Sequence, residues 1–319
     1  LPRNAPPREF APNACAMHAE ELRIGLADRT LAALAWGDPA RPPMLALHGW
    51  LDNAGSFSAI APRLAKDHYV VAIDFRGHGR SSHLPSGAWY HYVDYFDDIR
   101  ATLDHFGWTR ATLLGHSLGG TLASLYAAAF PERVDTLLLI EALGPLTVTP
   151  EQSLDQLRRG IDERRGFARR RPLRVFPDVE AAIAVRMAAS DLSHGAAKAI
   201  VERGIDAVDG GFVWASDARL TLTSLQRHTD AQIIAMLRGI RARTLLILAK
   251  PATGYLKDPM IEPRIACVDD IEVVRIAGNH HVHLEEPEKG FEAIARFLSG
   301  VASDESLALR HSGESRNPF

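Results

Sequence analysis

The segment Gly115-His116-Ser117-Leu118-Gly119-Gly120 lies between a short apolar run and an alanine-rich one, and it constrains the fold more than any other stretch. Ala111-Thr112-Leu113-Leu114 reads as a buried strand, and Thr121-Leu122-Ala123-Ser124-Leu125-Tyr126-Ala127-Ala128-Ala129 reads as a helix. A strand that passes into a helix across one serine needs a sharp bend. Flanking glycines admit it because they bring no side chain into the turn, and the hydroxyl is left standing over the sheet edge. The helix that follows aims its N-terminal N–H groups at the same space, where they favour a developing negative charge. An ordinary turn uses glycine and serine too, but without the strand before and the helix after.

Strand-like runs alternate with helix-like ones along the chain, which predicts α/β architecture with a mostly parallel central sheet flanked by helices. Leu22–Ala27 and Leu31–Trp36 read as a leading hairpin, followed by Met44–Leu47 and Tyr69–Ile73 with the amphipathic stretch Ser56–Ala65 between them. Tyr92–Phe106 sets Phe96, Ile99, Leu103 and Phe106 at helical spacing. Val134–Ile140, Thr244–Ala249 and Ile271–Ile276 are further strands, and Phe291–Leu298 is a closing helix. Between Pro145 and about Arg241 the pattern turns helical. The expected organisation is a core of residues 17–144 and 242–298, with a helical cap, 145–241, inserted after the sixth strand. Residues 1–16 and 299–319 are expected to be a disordered leader and tail, with Met17 as a possible natural start.

A chain of 319 residues with 46% hydrophobic and 24% charged residues is long enough for one large core and ordinary for an enzyme. A formal charge of −3 gives no case for nucleic acid or an acidic membrane as partner. No apolar run reaches bilayer-spanning length. Two distant cysteines, Cys15 and Cys267, point away from disulfides and toward a cytoplasmic setting. The arginine run Arg158, Arg159, Arg164, Arg165, Arg169, Arg170, Arg171 and Arg174 reads as a solvated face, with docking of an anionic leaving group as the sharper alternative. Oligomeric state is not legible.

Serine is a poor nucleophile unless a base is held against it. Gly278-Asn279-His280-His281-Val282-His283 follows the last strand, and His280 is the preferred base, with His281 and His283 as rivals. Three such histidines also raise metal ligation, but no cysteine and no clear carboxylate set accompany them, so no metal and no cofactor is expected. The oxyanion needs two donors: the N–H of Leu118 and the N–H of Trp50, in the turn His48-Gly49-Trp50-Leu51. Trp50 and His116 are also expected to touch substrate. Met44 and Phe57 suit either an apolar acyl pocket or the core.

His48-Gly49-Trp50, Asp74-Phe75-Arg76-Gly77-His78-Gly79-Arg80-Ser81, the Ser117 bend, and Gly278-Asn279-His280 followed by Leu284-Glu285-Glu286-Pro287 occur in an order that resembles the α/β-hydrolase fold family. The string Leu47–Phe57 resembles its branch of serine hydrolase-like proteins. The resemblance implies that Asp74–Ser81 builds a loop beside the site, with Arg76 and His78 structural. It also implies a carboxylate after strand Thr244–Ala249, yet Ala252 stands there and none appears until Asp258. Some members resembling this chain, haloalkane dehalogenases among them, place the acid after the strand before the cap, which here is Glu141. Glu141 is therefore the expected acid and Asp258 the fallback. The expected activity is hydrolysis of a small carboxylic ester or thioester. The alternatives are carbon–carbon hydrolysis, a small-molecule sensor without turnover, and a protein-interaction role for the arginine-rich segment.

Overall fold

Eight strands form one sheet in the order β1-β2-β4-β3-β5-β6-β9-β10, where β1 is Glu20–Gly25, β2 Thr30–Trp36, β3 Pro43–Leu47, β4 Tyr69–Ile73, β5 Ala111–His116, β6 Val134–Ile140, β9 Arg243–Lys250 and β10 Ile271–Ala277. The β1/β2 and β2/β4 pairs are antiparallel, and every pair from β4 to β10 is parallel. The structure, a computed structural model, describes residues 19–167 and 174–300. The expectations for residues 1–16, Cys15, Met17, the tail beyond Gly300, and Arg169, Arg170 and Arg171 lie outside the described residues.

A parallel sheet of this kind must be covered on both faces, and the central strands are apolar on both. Leu113, Leu137 and Leu139 point into one core cluster with α2 (Tyr95–His105) and α3 (Leu118–Ala129). Leu114, Leu138 and Ile140 point into the other, with α1 (Ala61–Leu64) and α10 (Pro287–Leu298). Each fully buried leucine of this kind contributes about 2 kcal/mol. Ser56–Ala65 is less regular than its amphipathic pattern suggests: a 3-10 turn, Ala54–Phe57, capped by Asn53, precedes the single-turn α1. Met44 and Phe57 are fully buried, so core packing accounts for both.

Between β6 and β9 the chain forms α4 (Ser153–Phe167), α5 (Val179–Ser190), α6 (His194–Gly204), β7 (Ile205–Val208), β8 (Gly211–Trp214) and α7 (Asp230–Leu237). The β7/β8 hairpin departs from the helical expectation. Its signal was the Asp209-Gly210 pair, which suits a two-residue turn, with Gly210 at φ 86°. Phe176, Ile183, Ala197, Ile200 and Val201 give the segment a core of its own, joined by Leu284 from α9 (Val282–Glu285). Asn53 donates to the Ile200 carbonyl at 2.8 Å, and buried Arg203 pairs with buried Asp74 at 2.9 Å, so α6 is fastened to the sheet's loops.

The register sets the site. His116 lies opposite Ile140, and Ile140 opposite Ile247, so Ser117 and Glu141 emerge side by side at the C-terminal edge of the sheet. Open α/β sheets bind their ligands at that edge.

Candidate active site

Ser117 follows β5 directly and caps α3 at φ 50° and ψ −111°, a strained conformation for a residue with a side chain. Its N–H donates to the Ile140 carbonyl at 3.0 Å. The flanking glycines are sterically required. A Cβ on Gly119 would stand 1.9 Å from the Leu47 carbonyl oxygen, and one on Gly115 2.5 Å from that of Gly119. The elbow can therefore form only because three strand and helix backbones meet there without side chains between them.

His280 reaches the serine from the loop after β10. Its Nε2 lies 2.9 Å from Ser117 Oγ and its Nδ1 3.0 Å from Glu141 Oε2. Glu141 is 1% exposed, at φ 56°, and its other carboxylate oxygen accepts the Ala249 N–H at 2.5 Å. The structure thus brings Ser117, His280 and Glu141 into one hydrogen-bonded line. Asp258 is elsewhere, at the start of α8 (Asp258–Ile265), where its exposed carboxylate pairs with Arg275 at 2.8 Å.

The N–H groups of Trp50 and Leu118 have no acceptor among the described residues. Leu118 owes this to its place as first residue of α3. The Trp50 indole is half exposed and donates through Nε1 to the Leu220 carbonyl at 3.0 Å, which ties the turn to the inserted segment. His116 does not fit its expected substrate contact. The ring is fully buried, and its Nε2 lies 2.8 Å from the His280 carbonyl oxygen, so it packs beneath the site. The residue before the elbow serine belongs to β5, and alternation turns it inward.

The rival histidines have other partners. His283 Nε2 lies 2.8 Å from Ser56 Oγ, and His281 Nε2 lies 3.2 Å from Asp52 Oδ2. Asp52, His116 and His281 present three ligand-type atoms within 4.8 Å of one another. The Arg186 guanidinium already pairs with the Asp52 carboxylate, and a metal ion there would meet that charge at close range. Burial raises the Asp52 carboxyl, but His281 and Arg186 outweigh it and hold it well below the usual carboxylate range. Burial lowers His116 to about 4, so the ring is neutral and carries its proton on Nε2, facing the carbonyl. Arg76 and His78 take structural places: Arg76 pairs with buried Asp98, and burial lowers His78 to about 3.

Residues 42–287 match the family described as alpha/beta hydrolase fold. The chain belongs to that family. This hydrolase-fold chain is 33% identical over 307 residues to the serine hydrolase-like protein of Danio rerio, covering 94% of each chain. Among solved structures it resembles a hypothetical protein of Pseudomonas aeruginosa PAO1, at TM-score 0.83 and 36% identity, over 88% of this chain and 99% of the other. It also resembles the thioesterase domain from the curacin biosynthetic pathway, at TM-score 0.74 and 25% identity, over 87% of this chain and 99% of that domain. No helix among the described residues is long and apolar enough to cross a membrane.

Asp52 and Arg186 are the residues that sequence reasoning missed. The available signal was a lone carboxylate inside the apolar string from Trp50 to Phe57. Arg186 carried no signal, because only the fold brings α5 to that turn.

Proposed function

We propose that the chain is a serine hydrolase that cleaves a small carboxylic ester or thioester through an acyl-enzyme on Ser117. The observation that carries this reading is the line from Ser117 Oγ to His280 Nε2 at 2.9 Å and from His280 Nδ1 to Glu141 at 3.0 Å. A hydroxyl with an imidazole on one side and that imidazole fixed by a buried carboxylate is the arrangement that activates serine.

In this reading His280 takes the Ser117 proton as Oγ attacks the carbonyl carbon. The oxyanion is received by the Trp50 and Leu118 amides, which the turn and the start of α3 hold in place. His280 then protonates the departing alcohol or thiol, activates water to attack the acyl-enzyme, and returns the proton to Ser117 as the acid leaves. Glu141 keeps the ring in the required tautomer and stabilises its charged form. Residues 145–241 form a cap over the sheet edge, and Trp50, tied to Leu220, marks the cap's meeting with the reaction centre.

A serine at the elbow argues for acyl transfer rather than an alkyl-enzyme ester, which needs a carboxylate nucleophile. The likeness to a thioesterase domain supports thioesters beside oxygen esters. A sensor without turnover would suit the missing carboxylate at Ala252, but Glu141 lies against His280 instead.

Nitrophenyl esters of graded acyl length, assayed beside acyl thioesters, test the reading. Turnover of at least one class, abolished by Ser117→Ala, is expected. Folded protein that turns over none of them contradicts it.

A further inference from the structure

We propose that Asp52 is a positioning residue: its carboxylate holds the Trp50 turn and the residue after His280 in register, and Arg186 of α5 anchors it. This rests on the hydrolase reading above and adds a part to the same site.

Four segments distant in sequence meet at one side chain. Asp52 lies two residues beyond Trp50, and its N–H closes the turn on the Gly49 carbonyl at 3.1 Å. Its Oδ2 lies 3.2 Å from His281 Nε2 and its Oδ1 pairs with the Arg186 guanidinium, while His116 Nδ1, which carries no proton, packs 3.5 Å from Oδ2 without bonding it. His281 adjoins the base and His116 adjoins the nucleophile. His116 also spans the gap between them, through its 2.8 Å contact with the His280 carbonyl.

The packing leaves no slack. Asp52, His116 and His281 are 2%, 0% and 5% exposed. A Cβ on Gly49 would stand 2.8 Å from Asp52 Oδ2 and 2.9 Å from His116 Nδ1, so the turn is drawn onto the carboxylate and the ring. In such a dry setting a charged hydrogen bond is stiff, and a buried carboxylate without its partners is costly. Because Asp52 closes the oxyanion turn and holds the residue beside the base, its loss should displace the two relative to one another. That geometry governs the chemical step more than the holding of substrate. Arg186 comes from the inserted segment, so α5 is joined to the reaction centre by charge as well as by apolar contact.

The test is Asp52→Asn, which keeps the shape and removes the charge. We expect kcat to fall about 100-fold, the scale of a misplaced reacting group. KM should stay within about threefold, because uniform binding is untouched. Fluorophosphonate labelling of Ser117 should slow in parallel with kcat. A folded variant with unchanged kcat, or with its whole loss in KM, overturns the proposal. Since Asp52→Asn leaves Arg186 buried without its partner, the charge-neutral pair Asp52→Asn/Arg186→Met is measured beside it. A folded double variant with wild-type kcat overturns the proposal equally. The two readings separate cleanly. Wild-type protein that leaves Ser117 unlabelled refutes the hydrolase itself, whereas equal labelling of wild type and Asp52→Asn refutes only the role of Asp52.

Discussion

His280 Nδ1 and the Glu141 carboxylate lie 3.0 Å apart although 139 residues separate them in the chain. Glu141 is buried, and its second oxygen is taken by the Ala249 N–H. A carboxylate so enclosed has one free direction left, and the imidazole fills it.

Replacing Glu141 by Gln should therefore lower kcat/KM by about 100- to 10,000-fold, the range seen when a triad acid is neutralised. Asp258→Asn removes only an exposed pair with Arg275 and should leave kcat/KM within about twofold. Steady-state kinetics on one ester settles the comparison. The reverse ranking moves the acid to Asp258.

Gly119→Ala forces a Cβ to 1.9 Å from the Leu47 carbonyl oxygen, and backbone on both sides resists movement. We expect a loss of more than about 3 kcal/mol, or failure to fold. Gly195→Ala, in α6 with no atom within 4 Å of the new methyl, should gain about 0.5–1 kcal/mol. Urea melts of the two variants should move in opposite directions.

Arg203→Met leaves Asp74, which is fully buried, without its counter-ion. The cost should be about 3–5 kcal/mol, as for other broken buried pairs. Because Arg203 lies in α6 and Asp74 beyond β4, proteolysis within the inserted segment should accelerate with it. A melting temperature equal to wild type would show that the pair is not stabilising.

Acid should destabilise the fold well before its carboxylates protonate. Burial lowers His48 and His116 to about 4 and His78 to about 3. From the ordinary histidine value near 6.5 down to those values, the unfolded chain binds protons that the native one refuses. Stability is thus unaffected above that range and falls as pH drops through it, by up to about 1.4 kcal/mol per pH unit for each ring. Asp52, held below the usual carboxylate range, adds a loss of the same sign at lower pH. Unfolding midpoints between pH 7.5 and 4.5 check this, and a flat series contradicts it.

The sheet, the elbow and the pairing of serine with histidine were legible because each rests on a local pattern. Apolar runs such as Leu137–Ile140, too short for a helix, read as buried strands, and Gly115-x-Ser117-x-Gly119 between a strand and a helix reads as a sharp bend. The hairpin at 205–214 was hidden by short, half-exposed strands whose only marker was Asp209-Gly210. His116 was misplaced because a motif says which residues are neighbours but not which way a strand turns them. The Asp52 cluster was hidden for another reason: the lone carboxylate was visible, but its partners Arg186 and His281 lie 134 and 229 residues away and only the fold brings them to it.

The account rests on an activated alcohol at position 117, and the most direct measurement is mass spectrometry of the protein after treatment with a fluorophosphonate. The account predicts one phosphonyl adduct on the peptide that carries Ser117, absent from Ser117→Ala and slowed in Glu141→Gln. Folded wild-type protein without an adduct, or with the adduct unchanged in Ser117→Ala, contradicts it.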